Sequence, residues 1–469
     1  MRIWTGICRR VAAMLLAGVC LCAFQADALG GDVQMSVHKT QLGTLNAPIA
    51  VVGGGRHADR AVATALSADN STLFVTFTTL IAPKTAADVA RSGFSVMRNG
   101  SIIGSYDAVT PVAVANDGAA YAFLTQIGED YFLCTQAGQS KIARTGSPDW
   151  KRSPSVSPDG KIVSFVLNND RDSYFVVDSK VFGPFQDFRA EGLVFSPDSR
   201  RYGFLAARQK NGASNKWVSV IDGTEGPNSY DAMGCFSFSP DSQRAAWVAG
   251  NKGNGGVEAH VIVTNANGHV VVGPNIYGLS EAGVIWSADS QHVGYVGLAR
   301  DGKQFAVIDG VSQDRFAGIQ SLGPLFSPDG NRIGYLAFTG SNWLVIVDRN
   351  DIGVQSLDGV GERAFSPDSK RFAYAAYRHD EWTIICDGQE SREYDNIAHS
   401  GLCFTPDSRF VVFEARRNSA HFLVVGNTEI ELPGPSIGNS KIRFDSSNEC
   451  SLVVSDKDNN ICRLVVTIE

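Results

Sequence analysis

No apolar run that we single out in this chain reaches the roughly 20 residues a helix needs to cross a bilayer; the stretch from Val11 to Phe24 has fourteen. A basic surplus is also missing. The chain carries 41 Lys and Arg against 48 Asp and Glu, a net charge of −7, which takes away the electrostatic basis of nucleic-acid binding. There is no Cys-x-x-Cys pair and no Cys/His cluster with metal-ligand spacing, so no metal is expected. No Gly-x-Ser-x-Gly elbow, His-Glu-x-x-His pair or phosphate-cradling glycine loop occurs. The eight histidines, His38, His57, His260, His269, His292, His379, His399 and His421, are scattered along the chain. No catalytic residues and no cofactor are therefore expected.

The first 28 residues read as an export signal outside the fold. Arg2, Arg9 and Arg10 precede the apolar run, and Ala26-Asp27-Ala28 is a small-x-small cleavage site, leaving Leu29 as the mature N terminus. An uncleaved anchor is the competing reading. Cleavage removes three arginines and one aspartate, so the mature chain carries −9. A periplasmic or secreted location follows, with no stable membrane insertion after cleavage. Six cysteines remain: Cys134, Cys235, Cys386, Cys403, Cys450 and Cys462. Cys450 and Cys462 flank one candidate hairpin and could pair; buried free thiols are the other reading for all six.

What the chain does have is a tetrapeptide that keeps returning. It reads Ser157-Pro158-Asp159-Gly160, Ser196-Pro197-Asp198-Ser199, Ser239-Pro240-Asp241-Ser242 and Ser287-Ala288-Asp289-Ser290. It continues as Ser327-Pro328-Asp329-Gly330, Ser366-Pro367-Asp368-Ser369 and Thr405-Pro406-Asp407-Ser408. Degenerate copies stand at Asp69, Asp117 and Asp445, and successive aspartates lie 38 to 48 residues apart. Six residues after this landmark come Phe123, Phe165, Phe204, Trp247, Tyr295, Tyr335, Tyr374 and Phe413. Three residues before it come Phe195, Phe238, Trp286, Phe326, Phe365 and Phe404. Large apolar residues on both sides of a turn mark the core positions of two paired strands. Proline presets φ for that turn, and the aspartate side chain bonds amides two residues on. Asp222-Gly223, Asp309-Gly310 and Asp387-Gly388 mark a tight hairpin farther along the unit.

Four short antiparallel strands in about forty residues, repeated without helices, predict an all-β fold, a β-propeller over residues 29–469. The string Phe365-Ser366-Pro367-Asp368-Ser369-Lys370-Arg371-Phe372-Ala373-Tyr374 resembles the TolB-type family of WD-repeat-like propeller modules. That resemblance covers residues 110 to 435 well and implies the fold, not one activity. About ten units are counted. One large ring, closed by an N-terminal strand near Val33 to Lys39, is the first expectation; two smaller propellers or eight blades with irregular ends are the alternatives.

The repeated aspartates read as turn-formers. They are out of phase with sialidase Asp boxes, which place glycine two residues after the aspartate, and calcium would need several oxygens converging at one place. The candidate binding residues lie nine to twelve positions after the landmark, between the second and third strands: Arg171, Arg208, Lys252, Arg300, Arg378 and Arg416. Such loops gather on one face of a propeller, and the longest run from Ala207 to Lys216 and from Gly250 to Glu258. A basic rim there suits an anionic partner; solvated charges offset by Asp170, Asp301 and Asp380 are the competing reading. The expected function is an exported, non-enzymatic propeller that binds a protein or an anionic envelope polymer, and no nucleic acid. The alternative is a propeller enzyme of lyase, glycosidase or lactonase type with its site at the central channel. A structural part of a larger surface assembly is a third reading.

Overall fold

Every strand of the repeat pairs only with strands of its own unit, so the chain becomes ten antiparallel sheets rather than one continuous one. The computed structural model describes residues 29, 33–44, 61–81, 91–142, 146–169, 172–189, 192–208, 216–253, 256–265, 268–280, 282–352, 357–398, 401–437 and 440–469. The expected export signal, 1–28, lies outside them. No described residue is helical. The ten sheets are the blades of a single ring, a ten-bladed β-propeller, and we number them in chain order from the sheet that begins at residue 61.

Blade 8 shows the plan. Its strands are Gly359–Phe365, Phe372–Arg378, Glu381–Cys386 and Gln389–Glu390, each paired with the next. In six blades the first strand is split in two by an irregularity, as at Asp187–Phe188 and Val194–Phe195 of blade 4. The aromatic column after the landmark falls on the second strand, and all eight members are at most 9% exposed. They weld neighbouring sheets together: Phe204 of blade 4 meets Phe175 of blade 3 with ring centroids 4.5 Å apart. No blade could bury these faces alone.

The Ser-Pro-Asp turn behaves as its residues dictate. Ser157 Oγ donates to Asp159 Oδ1 at 2.7 Å and accepts from the Ile162 amide at 2.9 Å. Asp159 Oδ1 also accepts the Lys161 amide at 3.2 Å. These bonds, the serine hydroxyl first, hold the Asp159 carboxyl down to about 2 and lower Asp198, Asp289 and Asp368 in the same way.

The same turn reaches into the next blade. The amide of the landmark aspartate donates to the serine that closes the following tetrapeptide: Asp159 to Ser199 at 2.9 Å, Asp198 to Ser242 at 3.0 Å and Asp241 to Ser290 at 2.9 Å. Asp329 to Ser369 and Asp368 to Ser408 repeat it, both at 3.0 Å. All five serines sit at φ between 62° and 65°, a left-handed conformation that costs an L-residue roughly 1–2 kcal/mol. The hydrogen bond across the blade boundary offsets that strain. Where the tetrapeptide ends in glycine there is no room for a side chain: a Cβ on Gly330 would lie 2.6 Å from Asp289 Oδ2.

A basic residue three positions after the landmark completes the joint. Arg371 Nε donates to Asp387 Oδ2 of its own third turn at 2.7 Å, and its Nη1 donates to the Ser408 and Arg409 carbonyls of blade 9 at 3.2 and 3.0 Å. Its guanidinium lies 5.3 Å from the Phe404 ring centre. Arg201 and Arg332 do the same toward blades 5 and 8, and Arg244 stacks over Trp286 at 4.9 Å. His292 takes this place in blade 6, paired with Asp309 and stacked on Phe326.

Closure of the ring follows the expected route with a longer strand. Met35–Thr44 pairs antiparallel with Asn460–Ile468 as the outermost strand of blade 10. Asn70 Nδ2 of blade 1 donates to the Lys441 and Ser451 carbonyls of blade 10 at 3.1 and 3.3 Å. The six cysteines are free. Cys450 and Cys462 do not face each other, because the register pairs Cys450 with Val466 and Cys462 with Val454.

Two predictions follow from this joint. Stability by denaturant unfolding falls in the order wild type, Ser369→Gly, Ser369→Ala, with about 1–3 kcal/mol lost in the alanine variant, which keeps the backbone strain without the bond. An alanine variant as stable as wild type contradicts the link. The lowered aspartates stabilise the fold fully above their unfolded value of 3.8, and that stability is lost as pH falls through their folded values. The Tm therefore drops between about pH 4 and pH 2, less steeply in Ser366→Ala; a Tm flat over that range contradicts the assignment.

Candidate functional site

The hairpins between second and third strands lie at the opposite end of each blade from the Ser-Pro-Asp turns, since consecutive strands run antiparallel. Five of the six expected rim residues are described there; Arg171 lies outside the described residues. The loops are shorter than the sequence indicates. Strand pairing runs on past the apolar alternation, so Arg208, Lys252, Arg378 and Arg416 are strand residues, paired with Lys216, Val257, Glu381 and His421. The expected loop from Gly250 to Glu258 is the end of a long hairpin that pairs as far as Gly253 with Gly256. Within the other, residues 209–215 lie outside the described set.

The rim is not uniformly basic. Arg208 is paired with Glu225 and lies 4.5 Å from the Phe185 ring centre, and Arg378 is paired with Glu390. The Lys252 amide donates to Asp231 Oδ2 at 3.0 Å, and Asp231 also takes the Lys216 ammonium at 2.7 Å. Asp358 and Asp395 accept the amides of His379 and Asn418 at 3.4 and 2.9 Å, so acids entering from the first strands steady these turns.

Arg300 and Arg416 stand apart. Both are exposed, and, like the Lys252 ammonium, neither has an ion-pair partner within 4 Å among the described residues. Arg300 flanks a cleft of about 270 Å³ that it shares with Arg315, Tyr277, Asn275 and Ser312. Its guanidinium lies 6.0 Å from the Tyr277 ring, whose hydroxyl donates to Glu258 Oε1 at 3.3 Å. Arg315 reaches Asp301 only at 3.5 Å, with both side chains half exposed. Asp301 also lines the cleft, so two guanidiniums face one carboxylate there, and with a hydroxyl and an amide the excess positive charge can hold an oxyanion. Among the described residues no group of three or more His, Cys, Asp and Glu is placed to hold a metal.

Two charged residues that the sequence reading passed over sit where the repeat places apolar ones. Five positions before the landmark stand Val112, Pro154, Leu193, Phe236, Val284, Pro324 and Leu402, but Arg363 in blade 8. Seven positions after it the column is Leu, Val or Ala except for Thr76 in blade 1 and the charged Glu414 in blade 9. Glu414 is 1% exposed, accepts the Ser436 amide at 3.0 Å and lies 3.8 Å from His421 Nδ1. Arg363 is 8% exposed and donates across the blade boundary to Gln320 Oε1 and the Gly323 carbonyl, while its Nε meets no acceptor. Burial pushes its guanidinium down to about 10, against the opposing charge of Glu362. The signal for both was a break in a column, visible only once the repeats are aligned.

No protein-family model matches this chain, and no curated protein matches it. Solved structures similar to it include a eukaryotic initiation factor at 12% identity, covering 73% of this chain and 90% of that one with a TM-score of 0.42. The β-propeller domain of the trilobed protease from Pyrococcus furiosus is 11% identical, with coverages of 69% and 97% and a TM-score of 0.30. Hydrazine synthase of Kuenenia stuttgartiensis is 14% identical, with coverages of 60% and 94% and a TM-score of 0.29.

Proposed function

We propose that this chain is an exported, non-enzymatic propeller that binds an anionic polymer or an acidic protein of the cell envelope through the face opposite its Ser-Pro-Asp turns. The observation that carries this reading is the pair Arg300 and Arg416, exposed and without an acid partner among the described residues, on a protein whose net charge is otherwise negative. Arg315 adds a third cation beside the first. Arg208 and Arg378 are already neutralised within their blades and serve stability rather than capture. The TolB-type wording of the blades and the signal-like residues 1–28 support export. Leu29, which cleavage leaves first, is 5% exposed in the cluster that contains Val411 and Phe413, so removal of 1–28 spares that packing.

Chain produced with its first 28 residues, recovered from a bacterial periplasm and beginning at Leu29, is tested for binding to immobilised dextran sulfate at low and moderate salt. Binding weakens as salt rises, and Arg300→Ala/Arg315→Ala/Arg416→Ala binds at least about ten-fold more weakly, one decade in Kd. Equal binding by the triple variant contradicts the assignment of this face, and product retained in the cytoplasm with residue 1 intact contradicts export.

A further inference from the structure

The innermost strand of each blade lines the channel, and its core column is apolar in seven blades, Thr64 and Ser440 in blades 1 and 10, and arginine only in blade 8. A guanidinium taken out of water costs several kcal/mol unless an opposite charge or a full set of acceptors meets it. Arg363 donates to two neutral oxygens, Gln320 Oε1 and the Gly323 carbonyl, its Nε meets no acceptor, and the charge of the neighbouring Glu362 only partly offsets its burial. Its blade neighbours are tuned to it: Gln320 Nε2 also donates to the Gly361 carbonyl at 2.8 Å, fixing the amide so that its oxygen faces the arginine. Beside this group lies a cavity of about 530 Å³ whose lining includes Arg363 together with Ala282, Ile285, Leu322, Pro324 and Leu325 from the inner segments of blades 6 and 7. Leu322 is 48% exposed at its edge.

We propose that this cavity is a binding site for a small carboxylate with a compact apolar body, in which Arg363 supplies the counter-charge. The walls are aliphatic, which favours a hydrocarbon or aromatic body over a sugar or a nucleotide. One cation in low dielectric matches one negative charge; a phosphate dianion would call for more donors than the site offers. The site is on the inner wall at blades 6 to 8 and shares no residue with the Arg300 cleft. A purely structural latch between blades 7 and 8 would need only the two neutral bonds, with no dependence on a ligand's charge.

The test uses the whole mature chain, sodium benzoate as the probe and benzamide as its neutral counterpart, read by thermal unfolding and by calorimetric titration. Benzoate raises the Tm in a concentration-dependent manner, as any ligand of the native state does, and benzamide does not. Leu322→Trp, which fills the cavity and leaves the Arg363 bonds alone, abolishes the shift; so does Arg363→Met. If the methionine variant fails to fold, the tryptophan variant alone decides. The triple variant at Arg300, Arg315 and Arg416 keeps the full benzoate response, which separates this site from the rim. No benzoate binding, an equal response to benzamide, a response that survives Leu322→Trp, or one lost in the triple variant overturns the proposal.

Discussion

The joint between consecutive blades is the constraint on which this molecule depends. A sheet of four short strands has two apolar faces and no means of burying either by itself, so the aromatic columns supply affinity between blades. They do not by themselves fix how one blade sits on the next, because packed rings tolerate several orientations. The polar contacts do. An aspartate amide reaches the next blade's serine, and an arginine holds its own third turn with one nitrogen and the next blade's tetrapeptide carbonyls with another. The same guanidinium covers the aromatic that precedes that tetrapeptide. The aspartate–serine bond recurs at five blade boundaries and the arginine bridge at three, and the ring closes when the N-terminal strand completes blade 10.

Within this joint, on the Ser-Pro-Asp face, the arginines three residues after the landmark are committed to structure. Arg201, Arg332 and Arg371 are all held by a turn aspartate. The other end of the blades carries less of this scaffolding, and there some arginines remain free to meet a partner. The division is chemical as well as spatial: the first face uses cations against carbonyls and rings, the second leaves Arg300 and Arg416 facing water. The channel wall is a third environment, apolar by repeat and broken by Arg363.

Much of the fold was legible in the sequence because its determinants are local and repeated. Serine, proline and aspartate in a row make a turn wherever they occur, and an aromatic nine residues on from another reports the strand pair around it. Closure by an N-terminal strand followed from a last unit short of one strand. The roles of Ser369 and Arg371 were not legible. Their partners lie about forty residues away, Asp329 in the preceding repeat and Arg409 in the following one, and in the sequence both look like ordinary turn and surface residues. The rim was legible only in outline: the basic residues are where the spacing puts them, but Glu225 and Glu390, which neutralise two of them, arrive from fourth strands whose register the sequence does not reveal. Arg363 was visible as a break in a column, yet its meaning needed the cavity beside it.

The central claim is that the arginine three residues after the landmark, present in four of the ten units, couples one blade to the next. A double-mutant cycle between Arg371→Met in blade 8 and Phe404→Leu in blade 9, read by denaturant unfolding, addresses it directly. The account predicts a coupling of about 0.5–2 kcal/mol, because each substitution alone breaks the same cross-blade contact. Additive effects, with no coupling between the two positions, would show that the blades are joined by apolar packing alone.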